Sequence, residues 1–567
     1  MSRKRHIRAP EVQPERSGRL AYILAAAAAL IALWAYLPSL HGRFLFDDMY
    51  LPGETATLIA SLRGVRPVLM FTYWMSARIS GQDPFGYHLF NFGLHCVNCA
   101  LILLVVRRVL QLAGIEEPRR KILAGLAALV FLLHPAQTEA IAYVTGRSEA
   151  LSSFLFFLAF AVFLCRPEPA IAWGRSLIVL ALFGMAVLSK EQTIVLPALL
   201  LLTDFWWDPG FSLRGVGRNW RVYTLLSFGV AGAVVFLWDL IAHATSAGFA
   251  LEGFTWVQYF YTQWRALFVY LFTFLLPVNL TLDRDFPISQ TPLDHGAIAG
   301  LAALVFLGVV AWRNRRRFRL AGYGFFVFLA MMAPTSSILP ILDPVAEHRL
   351  YFSMIGLLLI VVDLLSRLRW RRVWAFTAAG TFALAAALAT HARASLWANP
   401  IALWEDTVRK SPLKARPHFQ LGSAYYEAGQ CDRAAAEFER TAQLQKPNSD
   451  LLVDWGLACD CQNLPELALS KLRQAAALEA SAHVYSQIAK VYAERSRWAE
   501  AMDALATAQQ LDANLAIIYY YRGKVYLSTG QPALAVPEYR HALALEPTLR
   551  EAAWELSEAT AAMAGKH

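Results

Sequence analysis

The sequence predicts an all-α protein of two units in different solvents: a polytopic membrane domain of about eleven spans, then an α-solenoid of about four helical repeats. Three observations carry this. Of the 567 residues, 57% are hydrophobic and 13% aromatic, and the mean hydropathy is +0.39. Only 17% are charged, against roughly 25% in ordinary soluble proteins. Apolar runs long enough to cross a bilayer recur to about residue 395 and then stop, and beyond that point small residues return at a fixed period.

Residues 1–19 form a basic N-terminus. The run at 20–40 is too long for a signal-peptide core and no small-residue cleavage site follows it, so it is expected to be retained as the first span. Further runs of the 20–395 domain fall near 88–106, 122–137, 151–165, 176–190, 193–207, 222–243, 296–312, 320–340, 349–366 and 373–393. The net charge of +10 is gathered in short clusters outside them: "SRKRHIR" at 2–8, "PRRK" at 118–121, "RNRRRFR" at 313–319 and "RLRWRR" at 367–372. Cations so placed follow the positive-inside rule, which puts these loops and the N-terminus in the cytoplasm. The same placement argues for a lipid bilayer and against nucleic acid as the partner. A crossing by the apolar segment within 256–285 would break the charge rule, so that segment is expected to be re-entrant or interfacial. An odd span number sends the C-terminal unit to the periplasm of a bacterial inner membrane or to the lumen of the ER.

On this topology the unusual polar residues collect in the outward loops. The first loop holds Asp47, Asp48 and Arg66, and the second holds His134, Glu139, Arg147 and Glu149. Lys190 and Glu191 sit in a tight hairpin, Asp283 and Asp285 in "LTLDRDF", and Glu347, His348 and Arg349 in "DPVAEHRLYF". Ionisable groups at membrane depth are costly, and a set of them on one side reads as a functional site. For any one of them a snorkelling or structural pair is the plain alternative.

After a linker at 396–414, Gly422, Gly456, Ala489 and Gly523 stand 34, 33 and 34 residues apart. Each is followed twelve residues later by Ala434, Ala468, Ala501 or Ala535. Small residues at the crossing of two helices, in phase through 415–548, are the tetratricopeptide (TPR) pattern, and 549–567 reads as its capping helix and tail. Such an array usually holds a peptide or protein in its groove. Cys96, Cys99 and Cys165 read as packed small hydrophobes. Cys431, Cys459 and Cys461 read by default as unpaired small hydrophobes, with a pairing of Cys431 to Cys461 or Cys459 in an oxidising compartment as the alternative.

"FLFDD", "RPVLMFTYWM", "DPFGYHLFNFGLH", "FLLHPAQTEAIAYVTGRSEALS", "LSKEQTIVLPALLLLTDFW" and "EHRLYFSMIGLLL", with TPRs behind them, resemble the transmembrane and tetratricopeptide-repeat-containing O-mannosyltransferases. The resemblance runs from about residue 38 to the end. It implies a C-type glycosyltransferase fold that inverts a sugar taken from a polyprenyl-phosphate carrier, with Ser or Thr hydroxyls of proteins as acceptors. A hydroxyl needs a carboxylate to accept its proton, and the resemblance places the catalytic acidic motif just beyond the first span. Asp47 is therefore expected as the base and Asp48 as its support. Arg147, Lys190, His348 and Arg349 are expected to meet the leaving phosphate. Arg66, His134, Glu139, Glu149, Glu191, Asp283, Asp285 and Glu347 are expected to line the substrate pocket. Adjacent Asp side chains in extended chain point opposite ways, so no metal is expected to be required, with a divalent cation as the alternative. The rival readings are a non-catalytic membrane-anchored TPR scaffold and a transporter of lipid-linked sugar.

Overall fold

The computed structural model describes residues 15–564 apart from 54, 244–246, 250, 252 and 369–370. The basic cluster at 2–8 lies outside the described residues. The chain divides into two compact units, Met1–Leu403 and Trp404–His567. Among the described residues the secondary structure is helical, apart from one isolated antiparallel bridge, Ala247–Ile341.

The long helix Pro84–Leu112 shows what solvent the first unit is built for. Its buried face runs His88, Asn91, His95, Asn98, Ile102, Val105 and Val109, the three-four spacing of one helical stripe. Leu89, Phe90, Val97, Leu103 and Leu104 face outward instead. Polar groups inside and apolar groups outside is the reverse of a water-soluble helix and suits a hydrocarbon surround. The inward polar groups find partners. His95 contacts the Tyr351 hydroxyl through Nδ1 and the Leu132 carbonyl through Nε2, each at 3.1 Å, and Asn98 donates to Tyr351 and to the Ala150 carbonyl. Two other helices, Arg319–Met332 and Arg349–Arg367, pack through glycine: a Cβ on Gly324 would sit 2.4 Å from the Gly356 carbonyl oxygen.

All eleven apolar runs carry helix, but eleven spans are not what the described residues show. Five helices are long and apolar enough to cross: Tyr22–His41, Pro84–Leu112, Arg147–Leu164, Asp294–Arg313 and Arg349–Arg367. Arg119–Leu133 with Pro135–Ala142, bent by 54°, makes a sixth if it is one broken span. Some of the others fall short for a geometric reason. Leu196–Trp207 has 12 residues and Arg319–Met332 has 14, about 18 and 21 Å at 1.5 Å per residue, well below a hydrocarbon core of roughly 30 Å. The segment at 256–285 is one continuous helix, Trp256–Leu275, followed by non-helical chain.

In the second unit the expected linker already contains the helix Pro400–Lys410, within which the division between units falls. Four helix pairs follow: Ala415–Glu427 with Cys431–Leu444, Ser449–Cys461 with Pro465–Leu478, Ala482–Glu494 with Trp498–Leu511, and Ala516–Ser528 with Pro532–Leu545. Arg550–Ala564 caps them. The small residues are where the helices cross. A Cβ on Gly422 or Gly523 would lie 2.7 Å from the rings of Phe438 and Tyr539, and Ala434, Ala468, Ala501 and Ala535 are fully buried. Cys431 and Cys461 form a disulfide, which leaves Cys459 free and buried.

Candidate active site

The segment from His134 to Glu149 is the hub of the first unit's polar residues. Pro135 stops the Arg119–Leu133 helix, and the short helix Thr138–Ala142 leads to a turn that ends at the helix Arg147–Leu164. Gly146 makes the turn tight: a Cβ there would lie 2.7 Å from the Glu139 carbonyl oxygen and 2.9 Å from that of Tyr143.

The acidic pair of the first loop docks on this hub, and its two members differ. Asp48 is 4% exposed; its carboxylate accepts from the backbone N–H of Leu45 at 3.1 Å and of Thr145 at 2.9 Å. Burial pushes its pKa up to about 7, against the pull of those two donors. Asp47 is exposed, and its backbone N–H donates to the Tyr143 hydroxyl at 3.1 Å. One carboxylate thus ties the loop to the hub while its neighbour faces outward.

A chain of ionisable groups runs from the other end of the hub helix. Glu139 accepts from the backbone N–H of His348 and lies 2.6 Å from its Nδ1. The opposite ring nitrogen is 3.7 Å from Glu149. Glu149 in turn is held by the Lys190 ammonium and by the Gln192 amide. Next to it, Arg66 makes a bidentate pair with Glu191 at 2.9 and 3.0 Å. Burial would raise Glu191, but the Arg66 guanidinium outweighs it and holds the carboxyl below its usual range. Glu347 accepts from the Thr281 N–H at 2.6 Å, with Arg284 at 3.6 Å and Arg393 at 3.9 Å, and burial pushes it up to about 7.

Three residues expected at the ligand are enclosed by the fold instead. Arg147 is fully buried: it donates to Asn91, the Thr72 and Tyr87 carbonyls and Ser76, and its guanidinium lies against the rings of Tyr73 and Phe90. Arg349 is 4% exposed and donates to the carbonyls of Thr335, Asp343 and Pro344, so it closes its own loop. His134 accepts from the Ala136 N–H and contacts the Phe274 carbonyl through Nε2 at 3.0 Å, which braces the helix break. The polar atoms of all three are engaged by the protein itself. Asp283 is buried and Asp285 exposed in the segment beside Glu347. Four participants went unpredicted. Gln192 belongs to the quoted "KEQ" motif, and Arg393, a cation within an apolar run, carried its own signal. Tyr143 and Thr145 carried none, since their part rests on contacts with a loop 96 and 97 residues away. Among the described residues, no group of three or more His, Cys, Asp or Glu side chains is arranged to hold a metal ion.

Fold and site together define a multi-pass membrane protein with a charged loop cluster at its helix ends and a TPR unit at its C-terminus. Over 86% of its length the chain is 23% identical to Protein O-mannosyl-transferase TMTC3 of Mus musculus, of which it covers 57%. It is 25% identical over 70% of its length to Protein O-mannosyl-transferase F38B6.6 of Caenorhabditis elegans, covering 59% of that protein. A shorter stretch of 136 residues is 35% identical to Protein O-mannosyl-transferase Tmtc1 of Drosophila melanogaster, 24% of this chain and 15% of that one. The chain therefore spans little more than half the length of the first two relatives, and the resemblance carried by the motifs is borne out by their names. No family model matches the chain. Among solved structures, YrrB, described as a TPR protein with an unusual peptide-binding site, is 20% identical over 27% of this chain and 80% of that one at a TM-score of 0.23, too loose a superposition to argue from.

Proposed function

We propose that the chain is a membrane O-mannosyltransferase that moves mannose from a polyprenyl-phosphate carrier to a Ser or Thr hydroxyl of a protein, with inversion, on the non-cytoplasmic face. The observation that carries this is the division of labour in the acidic pair. Asp48 is buried with its carboxylate bonded to the hub, whereas Asp47, one residue away, is exposed, and in this reading it is the proton-accepting carboxylate. A hydroxyl attacking the anomeric carbon gives its proton to Asp47 as the new bond forms, and the carrier phosphate leaves with the electrons of the broken bond. No covalent intermediate with the protein is required.

The donors nearest to that role are Lys190, Arg66 and the His348 ring, each part-exposed and each held by a carboxylate that fixes its place. Arg147 and Arg349 keep the surrounding loops in position. The names of the relatives support the reaction class. The disulfide between Cys431 and Cys461 supports a periplasmic or lumenal place for the repeats, because such bonds persist in oxidising compartments. There the TPR groove holds the acceptor protein. No metal is required in this reading.

The test is a transfer assay with the purified full chain, polyprenyl-phosphate mannose and Ser- and Thr-containing acceptor peptides, with and without chelator. Mannosylated peptide formed equally in both supports the reading. No turnover with any polyprenyl-phosphate sugar overturns it.

A further inference from the structure

At the opposite end of the Arg319–Met332 helix from the loop that carries His348, the segment 313–319 brings five arginines together. Two of them are held in a particular way. The Arg315 guanidinium lies 4.9 Å from the Phe211 ring centre and 4.2 Å from that of Trp312. The Arg319 guanidinium lies 5.6 Å from the same Phe211 ring and 4.8 Å from Trp207. Arg319 also donates to the Trp206 carbonyl at 3.0 Å, and Arg315 to that of Trp312 at 2.7 Å. Two like charges are thus pinned against one ring, at a cost that needs an opposite charge to offset it.

No carboxylate among the described residues pairs with either. The acids at this end are already committed: Asp204 to Arg166, Asn219 and Tyr223; Asp208 to Ser212 and Arg218; Asp363 to Arg367 and the Ala321 N–H. The Nε atoms of both Arg315 and Arg319 are buried without an acceptor, and such a donor is expensive to leave unmet. The pair is therefore suited to an anion with an oxygen to offer.

The surface beside it names the anion's class. The helix Ala297–Arg313, which ends at this site, belongs to a candidate span of which only 6% is buried. Val305, Phe306, Val309 and Trp312 stand exposed along it. An apolar stripe running into a pair of unmatched guanidinium groups fits an amphiphile, its phosphate at the arginines and its chains along the helix.

We propose that Arg315 and Arg319 form a binding site for the headgroup phosphate of an anionic glycerophospholipid whose acyl chains lie along the Ala297–Arg313 helix. This rests on the membrane reading of the first unit and is independent of catalysis.

The full chain in detergent is titrated with phosphatidylglycerol, or with phosphatidylcholine of the same acyl chains, and bound lipid is counted by native mass spectrometry. Phosphatidylglycerol is retained in preference. The double variant Arg315→Gln with Arg319→Gln weakens that binding about tenfold or more, leaving phosphatidylcholine unchanged. The charge-matched pair Arg313→Gln with Arg316→Gln, on exposed neighbours of the same loop, keeps it. If the Gln pair fails to fold by circular dichroism, Arg315→Lys with Arg319→Lys takes its place: charge is kept, the planar fork is lost, and binding falls by an intermediate factor. Equal retention of the two lipids, or an equal loss in the control pair, overturns the proposal. So does displacement of the lipid by millimolar inorganic phosphate, which assigns the site to a free anion.

Discussion

Arg147 stands in a motif that reads as a phosphate ligand, and the structure spends it on packing. Its donors reach Asn91, Thr72, Ser76 and Tyr87, all of which come from the helices Pro67–Ser80 and Pro84–Leu112. Arg147→Lys keeps the charge but loses the fork that serves these partners, so it lowers the melting temperature of the purified chain. A melting curve equal to wild type would contradict the structural role. Asp48 gives a pH signature. Burial raises its pKa from an ordinary 3.8 to about 7, so between those values the folded chain keeps a proton that the unfolded chain has released. The stability it contributes is complete below about pH 4 and is lost as pH rises through about 7. Asp48→Asn, neutral throughout, flattens that decline in melts between pH 5 and pH 8, whereas an unchanged slope excludes Asp48 as its source. The identity of the charged loops was legible in the sequence, because ionisable residues beside apolar runs are conspicuous. Their partners were not. Glu139 and His348 meet across 209 residues, and no local pattern encodes such a contact.

The same contrast holds for whole elements. The repeats were legible almost to the residue, since a small side chain at a helix crossing is required by close approach and recurs with the repeat itself. The span count was over-read, because an apolar run records burial without saying whether lipid or protein surrounds it. Arg319–Met332 illustrates this: it is 14 residues long, with most of its side chains buried against protein. Gly146 marks the tightest element at the site. Gly146→Ala forces a methyl against two carbonyl oxygens, at a cost of about 1–3 kcal/mol. It lowers the melting temperature and shifts the Asp48–Thr145 contact, and a fully stable variant would show that the turn relaxes. In the repeats, the Cys431–Cys461 bridge joins positions 30 apart. Cys461→Ser should lower the unfolding free energy of the C-terminal transition by about 2–4 kcal/mol. A non-reducing gel on which wild type and variant migrate alike would show that the bridge does not form.

At the scale of the molecule, an inverted, lipid-facing unit carries the polar loops and a water-facing repeat array follows it in the chain. The chain divides between Leu403 and Trp404, and the two solvents demand opposite surface compositions on either side. Charge massed at the ends of several crossing helices favours the proposed transferase over an anchor, for which one span suffices. The most direct measurement compares wild type with Asp47→Asn in the polyprenyl-phosphate mannose transfer assay, with circular dichroism and melting run on the same samples. The account predicts that Asp47→Asn folds and melts as wild type does and loses transfer by about 10²–10⁴-fold. A folded Asp47→Asn protein that transfers mannose at the wild-type rate would contradict it.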